Sequence, residues 1–235
     1  MKRHMKRLAM PKTWPFPRKE GGKFVTRPNP RASFLLGLPL REILKYNLEI
    51  AKNSKEAEFI IRNKKVLVNG KPRKNGKFLV VLFDVISLPE INKHYRLVFG
   101  KNKKLTLIEI PEEEANIKVL NIINKHKVKG DKIQLTMHDS TNLQFDNTDL
   151  RVDDSIVYNF KEKKIESVIK MKEGAYAYIY KGKNIGKHGK IKRIIYDQAS
   201  YKKLAVIEDN EGKEFSTILD NLMVIGEEKP VITIE

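Results

Sequence analysis

The residues best suited to do chemistry stand in one short stretch, Gly182-Lys183-Asn184-Ile185-Gly186-Lys187-His188-Gly189-Lys190-Ile191, where glycines are interleaved with cations. Glycine lets a backbone approach a ligand closely and lysine supplies charge, so the stretch suits an anionic group. It does not fit a nucleotide-hydrolysing phosphate loop. Gly182 and Gly186 enclose three residues where that loop needs four, and His188 stands where a metal-holding Ser or Thr is required. Other catalytic patterns are missing too. The five histidines, His4, His94, His126, His138 and His188, show no HxxxH or HExxH spacing. Asp153 and Asp154 are neighbours whose side chains would leave a strand on opposite faces, so they read as a solvated turn and not as an acid/base pair. No GxSxG elbow is present, and no GxGxxG fingerprint opens a helix. With no cysteine, disulfides and thiolate metal centres are excluded. The expectation is a protein that is not an enzyme, with no metal, no cofactor and no small-molecule substrate.

Charge gives the positive clue. The chain has 235 residues and a formal net charge of +18. Residues 1–31 hold ten Lys/Arg against the single acid Glu20, residues 62–77 hold seven with no acid, and residues 181–193 hold six with no acid. These stretches together exceed the net charge of the whole chain, so the remainder is slightly acidic. Segment 130–157 carries six Asp against Lys132 and Arg151, and it reads as scaffold or as a face toward another basic protein. Clustered cations on an otherwise balanced protein are the footprint of a polyanion, because each neutralised phosphate releases condensed counterions. No apolar run approaches the roughly 18 residues that cross a bilayer, and the N-terminus lacks an apolar signal core; the chain is therefore read as soluble, not exported and without a membrane partner.

The elements that must position these cations follow from periodicity. Residues 1–37 are rich in Pro and Gly and show neither helical nor strand period, so they read as an extended basic arm that orders only on its ligand. Trp14 and Phe16 in that arm either anchor it to the protein or stack on bases. A helix is expected from Leu38 with Pro39 in its first turn and Leu40, Ile43, Leu44, Leu48 and Ala51 as its stripe. A second helix follows, capped by Ser54, with Ala57, Ile60 and Ile61 inward. Asn69-Gly70 between Lys65–Val68 and Lys71–Arg73 is a strong type I′ hairpin signal, and Pro72 assigns the returning strand to an edge. Strands are expected at 78–82, 84–86, 95–99, 105–108, 117–123, 133–137 and 156–158, with turns at Gly130-Asp131 and Asp153-Asp154. Gly174–Tyr180 is a further strand, Gly182–Lys190 its following loop, Ile191–Ile195 the return, and Leu204–Ile207 with the Asp209–Gly212 hairpin completes a small barrel.

The stretch from Ser54 through Ile60-Ile61, Lys65-Val66-Leu67-Val68-Asn69-Gly70-Lys71 and Asp84-Val85-Ile86 resembles the alpha-L RNA-binding module of ribosomal proteins, pseudouridine synthases and some tRNA synthetases. The module's capping-box glutamate is replaced by Ala57. The 182–191 loop resembles the KOW motif, an SH3-like barrel of ribosomal proteins and elongation factors. A pseudouridine synthase needs a larger catalytic segment than 101–170 allows. Arg7-Leu8-Ala9, Trp14-Pro15-x-Pro17-Arg18-Lys19, the alpha-L stretch, Gln134-Leu135-Thr136-Met137-His138-Asp139, the KOW loop, Phe215-Ser216-Thr217 and Val224-Ile225-Gly226 occur in the order seen in the archaeal and eukaryotic small-subunit ribosomal proteins of the S-four-e family. The resemblance spans essentially the whole chain.

It implies an α+β, mostly β fold: an extended arm over 1–37, a small αα-β alpha-L module over 38–100, a central antiparallel β-barrel-like domain over 101–170, a C-terminal SH3-like KOW barrel over 171–226 and a tail over 227–235. It also implies a structural, non-catalytic constituent of the small ribosomal subunit whose partners are small-subunit rRNA and neighbouring ribosomal proteins. The residues expected to meet RNA are Arg3, Arg7, Lys12, Trp14, Arg18, Lys19, Arg27 and Arg31 in the arm, Lys55, Arg62, Lys64, Lys65, Lys71, Arg73 and Lys74 in the module, and Lys183, Lys187, His188 and Lys190 in the KOW loop. A free KOW-type factor acting in transcription or on protein partners is the alternative.

Overall fold

The structure, a computed structural model, describes residues 4–19, 22–128, 132–145, 149–197, 202–209 and 211–234. The chain divides into two compact units, Met1–Asn116 and Ile117–Ile234. The fold is mostly β, with few helices and several antiparallel sheets.

In the first unit the arm supplies two short strands, β1 (Met5–Lys6) and β2 (Phe24–Val25), paired antiparallel. After them come β3 (Gly37–Pro39), a single α-turn α1 (Leu40–Glu42) running into a π-turn at Ile43–Asn47, and α2 (Ser54–Arg62). Strands β4 (Leu67–Val68), β5 (Lys71–Pro72), β6 (Leu79–Val81), β7 (Val85–Leu88), β8 (Lys93–Phe99) and β9 (Leu105–Ile110) complete the unit. Five of them form one antiparallel sheet in the order β5-β4-β7-β8-β9, and β3 pairs with β6. The expected helix from Leu38 therefore begins two residues late, because Leu38 and Pro39 are spent on the β3–β6 pair. The second helix is capped by Asn53 and not by Ser54. The Asn53 side chain accepts from the Lys55 and Glu56 amides, both at 2.9 Å. The shift by one residue also puts Glu56 at the third helical position, from which it accepts from the amide of Lys52, the residue before the cap, at 2.7 Å. The Asn69-Gly70 turn forms as expected, with φ of 52° and 69°.

The arm is not a free tail. Trp14 is 1% exposed, packs edge-on against Phe16, and donates its indole N–H to the Phe34 carbonyl at 2.8 Å. Phe16 in turn meets Tyr46. The buried Arg7 guanidinium gathers the Gly22 and Pro17 carbonyls and the Tyr46 hydroxyl. Of the two roles open to Trp14, anchoring is the one the structure adopts. A ring of that size, buried at the end of an aromatic chain that runs through Phe16 to Tyr46, outweighs the cost of ordering a proline-stiffened segment.

The second unit opens with the long strand β10 (Ile117–Lys127), followed by β11 (Ile133–Met137), β12 (Asn142–Phe145), β13 (Ser155–Asn159) and β14 (Lys164–Ile169), in the sheet order β12-β11-β10-β13-β14. In β11 Ile133, Leu135 and Met137 point inward and alternate with Gln134 and Thr136. Strand β9, expected in this central sheet, belongs instead to the first unit, where Leu107 faces Leu97 of β8. A second five-stranded sheet is built from β15 (Tyr176–Ile179), β16 (His188–Asp197), β17 (Lys202–Glu208), β18 (Glu214–Ile218) and β19 (Leu222–Gly226), in the order β18-β17-β16-β15-β19. β15 and β19 are buried throughout. The Gly130-Asp131 turn lies outside the described residues.

Candidate nucleic-acid interface

α2 hands its C-terminal end directly to the β4–β5 hairpin: the Lys64 and Lys65 amides bond back to the Ile61 and Ile60 carbonyls, and the Arg73 amide reaches Val66. The apolar side of this unit is held inward by Ala57, Ile61, Val66 and Val68, all fully buried. The opposite side is left with Lys55, Arg62, Lys64, Lys71 and Lys74, all exposed. Arg62 pairs with Glu58 at 3.4 Å and Lys65 with Glu90 at 3.0 Å. Lys55, Lys64, Lys71, Arg73 and Lys74 have no ion-pair partner among the described residues, and the four lysines carry their charge into solvent.

The hairpin is pinned from inside. Asp84, fully buried, accepts from the Asn69 side-chain amide at 2.7 Å, the Val81 amide at 2.8 Å and the Arg31 guanidinium at 2.6 Å. Arg31 also reaches the Leu79 carbonyl. Its guanidinium lies 5.1 Å from the centre of the Phe78 ring, and that of Arg73 lies 4.1 Å from the same ring. Burial holds the Arg73 guanidinium below its ordinary value, the Arg31 charge pushes the same way, and Asp84 opposes both. Sequence reasoning named Arg31 and Arg73 but missed that they share Phe78 and Asp84. No local pattern carries a contact made across 53 residues.

Of the arm residues, Arg3 lies outside the described set. Arg18 and Lys19 are exposed and so is Lys12; Arg18 donates to the Leu8 and Met10 carbonyls. Arg27 lines a cleft of about 400 Å³ with His4, Lys6 and Phe34. Arg7 and Trp14 are corrections to the expected interface. Both face the interior, with their polar groups already bonded to protein, and offer nothing to a ligand.

In the second unit Lys183, Lys187 and Lys190 are exposed. The glycine-punctuated loop is shorter than expected, because β16 begins at His188, which places His188 and Lys190 on a strand. Gly189 is there for space: a Cβ at this position would stand 2.1 Å from the Glu208 carbonyl oxygen of β17. The Tyr176 hydroxyl meets His188 Nδ1 at 2.7 Å, Tyr178 stacks on the same imidazole, and Lys187 lies 4.8 Å over Phe215. The Asp153-Asp154 pair forms the expected turn but is not simply solvated. Asp154 is buried and accepts from the Arg151 and Met171 amides, each at 2.9 Å. No cluster of metal-ligating side chains occurs among the described residues.

A short helix running into a cation-bearing hairpin, in a mostly β chain, defines a protein of the S4-domain class: residues 38–86 match the S4 domain. Residues 1–30 match the RS4NT (NUC023) domain, and residues 91–165 match the Ribosomal family S4e. The chain belongs to the small ribosomal subunit protein eS4 family, a family of ribosomal structural proteins and not of enzymes. It is 39% identical over 228 residues to the small ribosomal subunit protein eS4 of Nanoarchaeum equitans, covering 97% of each chain. It is 38% identical over 230 residues to the eS4 protein of Methanocella arvoryzae, covering 97% of this chain and 96% of that one. Among solved structures, the crystal structure of the 30S ribosomal protein S4e from Thermoplasma acidophilum superposes with a TM-score of 0.66 at 30% identity, covering 82% of this chain and 95% of that chain.

Proposed function

We propose that this chain is a structural constituent of the cytoplasmic small ribosomal subunit that holds rRNA at several points, with neighbouring ribosomal proteins as its other partners. The observation that carries this reading is the cation face of α2 and the β4–β5 hairpin, where five Lys/Arg lack an acidic partner among the described residues although the protein has 29 acids to offer. The arm contributes Lys12, Arg18 and Lys19, and Arg3 where it precedes them; Arg27 and Arg31 lie at its base. The β15–β19 sheet acts as an SH3-like KOW barrel that presents Lys183, Lys187, His188 and Lys190. Because one chain links the sites, the first contact raises the effective concentration of the next. Lysine and arginine give mainly sequence-independent affinity, so rRNA shape, 2′-hydroxyls and splayed bases supply the choice of site.

Two measurements test this. In a sucrose gradient at moderate salt the protein should travel with small subunits at near-unit stoichiometry, whereas a free KOW-type factor stays near the top. Affinity for a small-subunit rRNA fragment should fall steeply with salt, and reversing Arg73 and Lys74 together to Glu should weaken it; salt-insensitive binding overturns the proposal.

A further inference from the structure

We infer that Arg73, stacked on Phe78 with Arg31 on the same ring and Asp84 beneath, is a built site for a single phosphate group. This rests on the RNA-binding reading and gives it one defined subsite. Two guanidiniums are held against one aromatic ring, at 4.1 Å and 5.1 Å from its centre. Like charges so placed repel, and among the described residues Asp84 is the carboxylate that offsets them. Asp84 is fully buried and is committed to Arg31, Asn69 and the Val81 amide. Arg31 therefore has its counter-ion, whereas Arg73 makes no ion pair among the described residues.

The Arg73 guanidinium is confined as well as charged: it is half-buried, its carbon lies 4.1 Å from the centre of the Phe78 ring, and its Nε is buried without a hydrogen-bond partner. A planar guanidinium suits bidentate contact to a tetrahedral oxyanion, and one already confined against a ring loses less side-chain entropy on binding. A phosphate there would also relieve the repulsion between the two arginines. Lys71 and Lys74 flank the position along the chain but lack this support. They are exposed, with no aromatic platform of their own.

The test uses the full chain with two probes. Thermal unfolding is followed against inorganic phosphate, with sodium chloride at matched ionic strength as reference, for the wild type and for Arg73→Gln, Phe78→Leu and Lys101→Gln, the last at an exposed lysine outside the interface; circular dichroism checks that each variant folds. The expected result is a saturable phosphate-specific rise in Tm that Arg73→Gln abolishes, Phe78→Leu weakens severalfold and Lys101→Gln leaves intact. With a small-subunit rRNA fragment, Arg73→Gln should reduce the slope of log K against log salt by about one, as loss of one phosphate contact requires. A saturable response lost in Arg73→Gln with no change in the RNA slope keeps the site but assigns it to free phosphate, which removes it from the RNA reading. A response that does not saturate, or that all three variants share, overturns the site and leaves the broader RNA reading to its own tests.

Discussion

Asn69 and Asp84, fifteen residues apart, meet side chain to side chain at 2.7 Å in the interior, and this contact holds the tip of the basic hairpin to the sheet. Asn69 does two jobs there. Its backbone takes the positive φ of the turn, while its side-chain oxygen accepts from the Val85 amide and its amide donates to Asp84. Asp tolerates the left-handed region much as Asn does, so Asn69→Asp leaves the turn's backbone preference intact and replaces a donor by a second carboxylate. It should cost about 3 kcal/mol or more at neutral pH, as uncompensated charge does in a buried site. Asn69→Gly, which keeps the turn and merely removes the strut, should cost less. Urea unfolding of both variants checks the order; equal costs would mean that a second carboxylate beside Asp84 adds nothing beyond loss of the strut.

Trp14, the only tryptophan, reports on whether the arm is closed without RNA. Buried at 1% exposure with its N–H on the Phe34 carbonyl, it should emit at short wavelength and resist iodide quenching in the free protein. Adding rRNA should leave its emission unchanged. Trp14→Ala should destabilise the first unit by roughly 3–5 kcal/mol, the usual range for emptying so large a buried site. Long-wavelength, quenchable emission in the free protein would show instead that the arm is open.

What is legible in the sequence is whatever rests on local chemistry. Asn69-Gly70 declares its turn because few residue pairs accept two positive φ values. The inward alternation of Ile133, Leu135 and Met137 shows in the sequence for the same reason that a strand's faces alternate. Helix starts are less legible: Leu38 and Pro39 fit a first helical turn, yet their pairing with Val80 and Leu79 claims them for a strand. Strand β9 reads as part of the central sheet and lies on the other side of the unit boundary, because a strand's pattern does not state its partner. The interface is legible as charge and illegible as geometry. Arg7 and Arg73 look alike in sequence, but one closes on three oxygen acceptors inside the protein while the other stacks on a ring at the hairpin.

The Lys118–Asp139 pair is buried on both sides, at 0% and 3% side-chain exposure, with Nζ 2.7 Å from Oδ2. Asp139 also accepts from the Thr141 amide at 2.9 Å, so the pair ties β10 to the turn after β11. Removing either charge takes a buried counter-charge from the other. Lys118→Met and Asp139→Asn should each cost about 3–5 kcal/mol. The double variant should cost less than the sum and less than Lys118→Met alone, because the asparagine that replaces Asp139 can still accept from Thr141 while no charge remains buried. A double-mutant cycle by chemical denaturation measures this; additive losses would mean that the two charges do not act as a pair.

Gly189 makes a packing prediction separate from any ligand. The carbonyl oxygen of Glu208, the ladder partner of the next residue Lys190, lies 2.1 Å from where a Cβ on Gly189 would stand, and strand β17 cannot retreat without breaking its pairing to β18. Gly189→Ala should lower the Tm of the second unit markedly, whereas Gly174→Ala, where a Cβ meets nothing within 4 Å, should show only the moderate strain of its positive φ. If the two variants melt alike, the close approach at Gly189 carries no cost.

Asp153 gives the second unit a pH dependence whose direction can be worked out. Burial raises its carboxyl above the ordinary carboxylate value, the charge of Asp220 adds to the rise, Lys203 opposes it, and Asp154 adds a smaller push upward. The folded state thus binds this proton more tightly than the unfolded chain does. Below the ordinary carboxylate range both states are protonated and the group is neutral toward stability. As pH rises from that range through the raised value, the folded state must carry a charge it disfavours, and stability falls until the carboxyl is fully ionised. Asp153→Asn removes the charge and keeps a side chain suited to the local φ of 76°. The gain in Tm should therefore be largest at neutral pH and shrink as the pH approaches the ordinary carboxylate range, leaving only the pH-independent difference between Asn and Asp in the turn. A gain that does not change with pH across that interval would mean that the crowding of Asp153 by Asp220 and Asp154 has no energetic consequence.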